Sequence, residues 1–296
     1  MRDNICIHLF SATSWSDEAI WVRYFELNRI AMGLMPRKMG PYEPLRMSFP
    51  SVEEAATRFA YQPRIGSRTW LLNYDHRIHA DIQHYSSREY HLHGRLFNTV
   101  AIHIPLSSFK TLGLEQTTRN WFLGLCELFH AFYGDVEMSS TARQERPVLQ
   151  SRWNLSFEFP TLGWLTYFSN RVVSFFGTEK VQYLSQYVKQ FKDGILIEMG
   201  DKPEEAASRR EEKFEVERIL GANSFVVPVT LPKVDESMID YDKIREMDPF
   251  YHLPKMPNGE RKPERVYVPS FDDLACEFQS SDTPRHNNDN EQESKS

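Results

Sequence analysis

Between Thr69 and Ile104 three strand-like stretches follow one another, Thr69–Tyr74, Ile78–Tyr85 and Tyr90–Ile104, joined by polar turns. Short turns of that kind join antiparallel neighbours, because parallel ones need a long crossover. A chain holding such a block, with helices before and after it, is expected to be α+β: mostly antiparallel sheet with packed helices. An irregular Pro-rich extension is expected at the C-terminal end.

The flanking segments fill in the pattern. Ile5–Phe10 is a short, weakly alternating apolar run and reads as a first strand. Ser14 and Ser16 can cap the helix that follows, and Asp17 and Glu18 suit its positive end. Ile20, Trp21, Tyr24, Phe25, Leu27 and Ile30 then recur at three- and four-residue steps, one apolar face of a helix ending near Gly33. Pro36, Pro41, Pro44 and Pro50 mark a loop, and Ser51 and Glu54 form a capping box for a short helix to about Tyr61. Leu114–Tyr133 is the strongest helical pattern, with Gly134 expected as its left-handed cap.

After Pro147 the expectations are a strand at Leu155–Phe159, turn and helix over Thr161–Gly177, and helical spacing over Lys180–Phe191. A strand over Gly194–Met199, a helix from Pro203 to Leu220 and an edge strand at Phe225–Leu231 complete the list. Residues 1–231 thus form an α+β region, read either whole or as halves 1–146 and 147–231. Seven of the 17 prolines fall between Pro228 and Pro269, so residues 232–279 read as a wrapping extension. Residues 280–296 contain none of the apolar residue types and read as a disordered tail.

Composition excludes several functions. The formal charge of −6 argues against a general nucleic-acid binder, which presents a basic face to phosphates. No stretch approaches the length of a membrane span, and Ile5–Phe10 is too short for a secretory-signal core. Cys6, Cys126 and Cys276 are few and far apart, as a reducing compartment permits; the expected location is cytoplasmic.

The histidines are the main chemical anomaly. His76, His79, His84, His91, His93 and His103 place six of ten within 28 residues. Same-face imidazoles on a strand can hold zinc or another first-row metal, the basis for an alternative reading as a metal-dependent enzyme. Against it stands the plainer reading of polar positions on a half-exposed sheet, with no fixed spacing to assign a third ligand. Glu127 and His130 make one ExxH where a di-iron bundle needs two, so a surface acid beside a partly buried histidine is expected. Cys126, inside the apolar helix, reads as an inert core thiol. With no serine-nucleophile elbow and no phosphate loop, the expectation is a non-enzyme without catalytic residues, metal or cofactor.

A binding surface is better represented. Residues 235–248 carry six acids against two bases, a local charge of −4, with Tyr241 among them and Phe250-Tyr251 just after. Asp235, Glu236, Asp240, Tyr241, Asp242 and Glu246 are the candidate partner-binding residues: charge steers encounter with a basic partner, and rings anchor it. A solvated charged loop is the alternative.

Gly163-Trp164-Leu165-Thr166-Tyr167-Phe168-Ser169 resembles the Trp-Xaa-Thr-Tyr-aromatic/Leu-Ser element of the immunity protein 52 family, found beside bacterial polymorphic toxins. Gly194-Ile195-Leu196-Ile197-Glu198-Met199-Gly200-Asp201-Lys202-Pro203 is similar to the strand-then-proline element that follows in those proteins. The resemblance covers the second half through Leu231; the Pro-rich extension and the histidine cluster depart from it. It implies an α+β cytoplasmic antidote, an immunity protein that neutralises a cognate toxin, often a nuclease delivered by a type VI or contact-dependent secretion system. The partner is then a protein, with no direct nucleic-acid or membrane contact, in an oligomeric state that the residues leave open.

Overall fold

The apolar residues Ile5, Ile7 and Leu9 alternate with Cys6, His8 and Phe10, and this period of two makes Asn4–Ser11 (β1) the central strand of the molecule. The computed structural model describes residues 3–225 apart from 12, 14, 62–66, 86–89, 92–93, 96–97, 142–158, 160–161 and 222–223. Expectations for residues 226–296, including the edge strand beyond Phe225, the Pro-rich extension and the tail, lie outside the described residues. So do 155–158 of the strand expected at Leu155–Phe159.

Around β1 the chain builds one ten-stranded sheet in which every neighbouring pair is antiparallel. On one side of β1 lie, in order, Asn98–Pro105 (β8), His79–Tyr85 (β5), Ser67–Asn73 (β4), Lys38–Gly40 (β2) and Met47–Ser48 (β3). On its other side lie Tyr133–Met138 (β9), Leu165–Ser169 (β10), Gly194–Glu198 (β12) and Val188–Phe191 (β11). A separate two-stranded hairpin pairs Tyr90–His91 (β6) with Gly94–Arg95 (β7). The fold is α+β, as the block at 69–104 implied. Segments from both sides of residue 147 pair in the one sheet.

Three helices cover one face of this sheet: Glu18–Met32 (α1), Val52–Ala60 (α2) and Leu114–Leu128 (α4), the last preceded by Leu106–Thr111 (α3). Asp17 caps α1 by accepting from the Ala19 amide (2.8 Å), and Gly33 closes it in the left-handed region at φ 67°. In α2 the Ser51 hydroxyl accepts from the Glu54 amide as a capping box requires, but the Glu54 carboxylate turns along the helix to Arg58. Under these helices Trp15, Trp21, Tyr24, Phe25, Phe59 and Phe129 pack ring against ring and against the buried side of β5 and β4. Polar tips are satisfied within the cluster: the Trp21 indole donates to the Trp15 carbonyl (2.9 Å), and the Trp121 indole to Asn28 (3.0 Å).

The single strand expected over Tyr90–Ile104 is instead the hairpin of β6 and β7 followed by β8, and the structure corrects the sequence reading of elements in four further places. First, α4 stops at Leu128, and Gly134 is no cap but a residue of β9. The chain leaves the helix through His130 at φ 48°. The run Phe129, Ala131, Phe132, Tyr133 is apolar because it is buried on all sides, which mimics helical spacing. Gly134 is needed where it stands, since a Cβ there would come 2.9 Å from Leu9 and 3.0 Å from the His8 carbonyl oxygen. Second, Thr161–Gly177 contains strand β10 before the helix Asn170–Phe176 (α5). Leu165 to Phe168 are all buried, so β10 shows no alternation to betray it. Third, the helix Thr178–Tyr183 (α6) ends early and Val188–Phe191 is the edge strand β11. Fourth, the helix after Pro203 is two pieces, Pro203–Ser208 (α7) and Arg210–Gly221 (α8).

Gly194 opens β12 opposite Ser169, and a Cβ there would overlap the Phe168 carbonyl oxygen and sit 2.9 Å from the Tyr167 ring. Backbone cannot step aside as a flexible side chain can. Gly194→Ala is therefore expected to cost about 1–3 kcal/mol in urea unfolding. An unchanged midpoint would show that β10 and β12 do not approach this closely.

Candidate functional site

The sheet's second face is chemically different from the helix-covered one. In β1, β8, β5 and β9 the residues alternate, so Cys6, His8, His79, Asp81, Ala101, His103, Asp135 and Glu137 all lie on this face. Antiparallel register then arranges them in two rows across the strands. One row runs His79, His103, Cys6, Glu137; the next runs Asp81, Ala101, His8, Asp135, Thr166. Side chains directly opposite on neighbouring strands are close enough to interact, which is how His8 and Asp135, 127 positions apart in sequence, meet.

Within these rows two groups form. His79 and His103 stack with ring centroids 4.6 Å apart and planes 18° from parallel. His103 Nε2 lies 3.8 Å from Asp81 Oδ2, and its Nδ1 lies 3.5 Å from Cys6 Sγ. Beside them, His8 Nδ1–H donates to Asp135 Oδ1 (2.8 Å), while the Tyr133 hydroxyl donates to Asp135 Oδ2 (2.6 Å). The His8 and His103 rings meet edge to face at 6.0 Å. Asp135 is completely buried and Glu137 nearly so, which fixes the His8 ring from below.

Burial, helped by the neighbouring His8 and His79, pushes His103 down to about 3 from its ordinary value of 6.5. Burial also raises the Asp81 carboxyl above the ordinary carboxylate range, against the pull of His79. His103 is therefore held as the neutral imidazole.

The sequence-stressed histidines separate once folded. His79 and His103 come together, whereas His84 faces the opposite side of β5. There it is buried, stacked on Trp21 at 5.0 Å and edge-on to Trp15 at 5.4 Å. His76 is exposed in the 3-10 turn Asp75–Arg77. The backbone of His91 is in β6, but its side chain and the whole of His93 lie outside the described residues. Asp235, Glu236, Asp240, Tyr241, Asp242 and Glu246 lie outside them too. Glu127 accepts from Lys192 (3.0 Å), and His130 is exposed rather than partly buried, because the helix has already ended. Cys126 is buried, with its thiol pushed well above the ordinary value by that burial, as an inert core thiol should be.

His8, Asp81, Asp135 and Glu137 were not singled out by sequence. A signal for His8 existed in the period-two pattern of β1; Asp135 and Glu137 were hidden because β9 read as the end of a helix. The elements that carry the family resemblance are interior: Trp164, Leu165, Thr166, Tyr167 and Phe168 are all buried, and Gly194–Glu198 is β12 beside them. Phe168 packs with Phe159, Phe176 and Phe225 on the second face, while Tyr167 reaches the Asp193 carbonyl.

Among the described residues no helix is long and apolar enough to cross a membrane. No family model matches the chain, and no curated protein matches it. The resemblance of residues 163–169 and 194–203 to the immunity protein 52 family thus has no family match behind it. Among solved structures the chain is similar to the Pseudomonas aeruginosa T6SS protein PA0821, with a TM-score of 0.53 and 12% identity over 83% of this chain and 88% of that one. At that identity the likeness is one of fold.

Proposed function

We propose that this chain is an immunity protein that binds and neutralises a cognate antibacterial toxin, a nuclease delivered by a type VI or contact-dependent secretion system. The observation that carries the reading is the fold shared with a T6SS protein over 83% of the chain. The resembling segment adds to it: Trp164 to Phe168 are core, so what resembles the immunity family there is architecture and not a catalytic centre. The formal charge of −6 and the acidic, ring-bearing stretch 235–248 suit a partner whose active site is basic because it binds phosphates. On this reading the protein acts in the cytoplasm by covering another protein, without a cofactor and without turnover.

Co-expression with the protein encoded by the adjacent gene is expected to abolish that protein's toxicity and to yield a co-purifying complex. Unabated toxicity without co-purification would dispose of the proposal. Asp240→Lys with Asp242→Lys is expected to slow association about tenfold at low salt and to flatten its salt dependence. An unchanged on-rate would remove residues 235–248 from the interface.

A further inference from the structure

We propose that His79, Asp81 and His103 bind one divalent first-row metal ion of the zinc class. Each offers a ligand atom, and the three atoms lie within 4.8 Å of one another. Tetrahedral zinc with bonds of about 2.1 Å sets its ligands roughly 3.4 Å apart. The 3.8 Å between His103 Nε2 and Asp81 Oδ2 is already near that spacing. Closing the remainder asks only for small side-chain rotations, because the backbone register has placed His79 directly opposite His103 and Asp81 one same-face step along β5.

The surroundings are those of a ligand set and not of a chance surface group. The two imidazoles are stacked and nearly parallel, so both rings stand beside the Asp81 carboxylate on one face of the sheet. His103 has its other ring nitrogen against Cys6 Sγ, which orients the ring as outer-shell partners do at metal sites. Ala101 lies between Asp81 and His8 in the register, so only a methyl group separates them in that row. Asp81 is 37% exposed and His103 24%, so an ion can enter, and positions beyond the three protein ligands remain for water or a partner's side chain. Two nitrogens and one carboxylate oxygen suit zinc, nickel and cobalt; calcium and magnesium prefer an all-oxygen set. This inference stands apart from the immunity reading, because it concerns a site on the second face and not the toxin.

The test is zinc chloride added to the full chain, followed by calorimetric titration and thermal unfolding. One equivalent is expected to bind, and zinc at a hundred times Kd is expected to raise Tm by about 5–10 °C. Nickel should act likewise and magnesium should not. His79→Ala and His103→Ala are expected to abolish the shift, each measured against its own metal-free Tm. Asp81→Asn, a same-shape change at a half-exposed position, is expected to weaken binding at least tenfold without unfolding the protein. His76→Ala, outside the trio, should bind as the parent does. Absence of a shift, an equal shift with magnesium, or full zinc binding by both Asp81→Asn and His103→Ala would overturn the assignment.

Discussion

Trp21→Ala is expected to lower stability by about 3–5 kcal/mol, the range for removing a large buried aromatic side chain. The reason is where α1 puts the indole. Trp21 is fully buried, donates to the Trp15 carbonyl, and has rings of Trp15, Tyr24, Phe59, His84 and Phe129 within 6 Å on every side. These neighbours belong to the segment between β1 and α1, to α1, α2 and β5, and to the end of α4, so no single element can move to fill the space. The cavity term is then added to the lost transfer free energy instead of relaxing away. In a domain of this size the loss corresponds to a Tm fall of about 6–20 °C. Ile30→Ala, on the same helix but 75% exposed, should leave Tm within a degree or two. Equal effects at the two positions would mean that α1 is not docked by the face described.

The second large effect is expected on acidification. Burial, and secondarily the charge of Arg68, pushes His84 down to about 4 from its ordinary 6.5. His84 is held between Trp21 and Trp15, so the folded protein keeps it neutral while an unfolded chain takes up a proton near pH 6.5. The unfolded state binds more protons in this window, and stability therefore rises with pH through it. His84's contribution is complete above pH 6.5 and is lost as pH falls from 6.5 towards 4, a total of about 3 kcal/mol. His103 is shifted in the same direction and adds to the slope, discounted for its partial exposure. Urea unfolding of the parent at pH 7.5, 6 and 5 should show the decline, and His84→Phe, which keeps a ring in the aromatic box, should remove the larger share of it. A variant with the parent's full pH dependence would exonerate His84.

Both effects come from helix-side burial, which was the legible part of the sequence. The periodicity of Ile20 to Ile30 gave α1, and the run from Thr69 to Ile104 gave β4 and β5 within a few residues of their expected bounds, whereas β8 starts only at Asn98 and not at Tyr90. The candidate site was only half legible. His79 and His103 stood out by composition, whereas Asp81 looked like one more polar strand residue. His8, Asp135 and Glu137 join them only through pairing across β1 and β9. His84 lies five residues after His79, an odd step along β5, so the period of two within one strand already turns it from the polar rows towards the aromatic core.

What the amino-acid order determined alone, then, were the elements whose apolar spacing matches one period: the capped helix α1, the capping-box helix α2, and strands with one side wet. Tertiary structure alone decided the rest. Strand β10 and the entry to β9 are enclosed on both sides, so burial erased the alternation that marks a strand. The assembly of His79, Asp81 and His103, with His8 and Asp135 beside them, needed strands distant in sequence to fall into register. That register is set by the whole sheet's packing, which no single segment encodes.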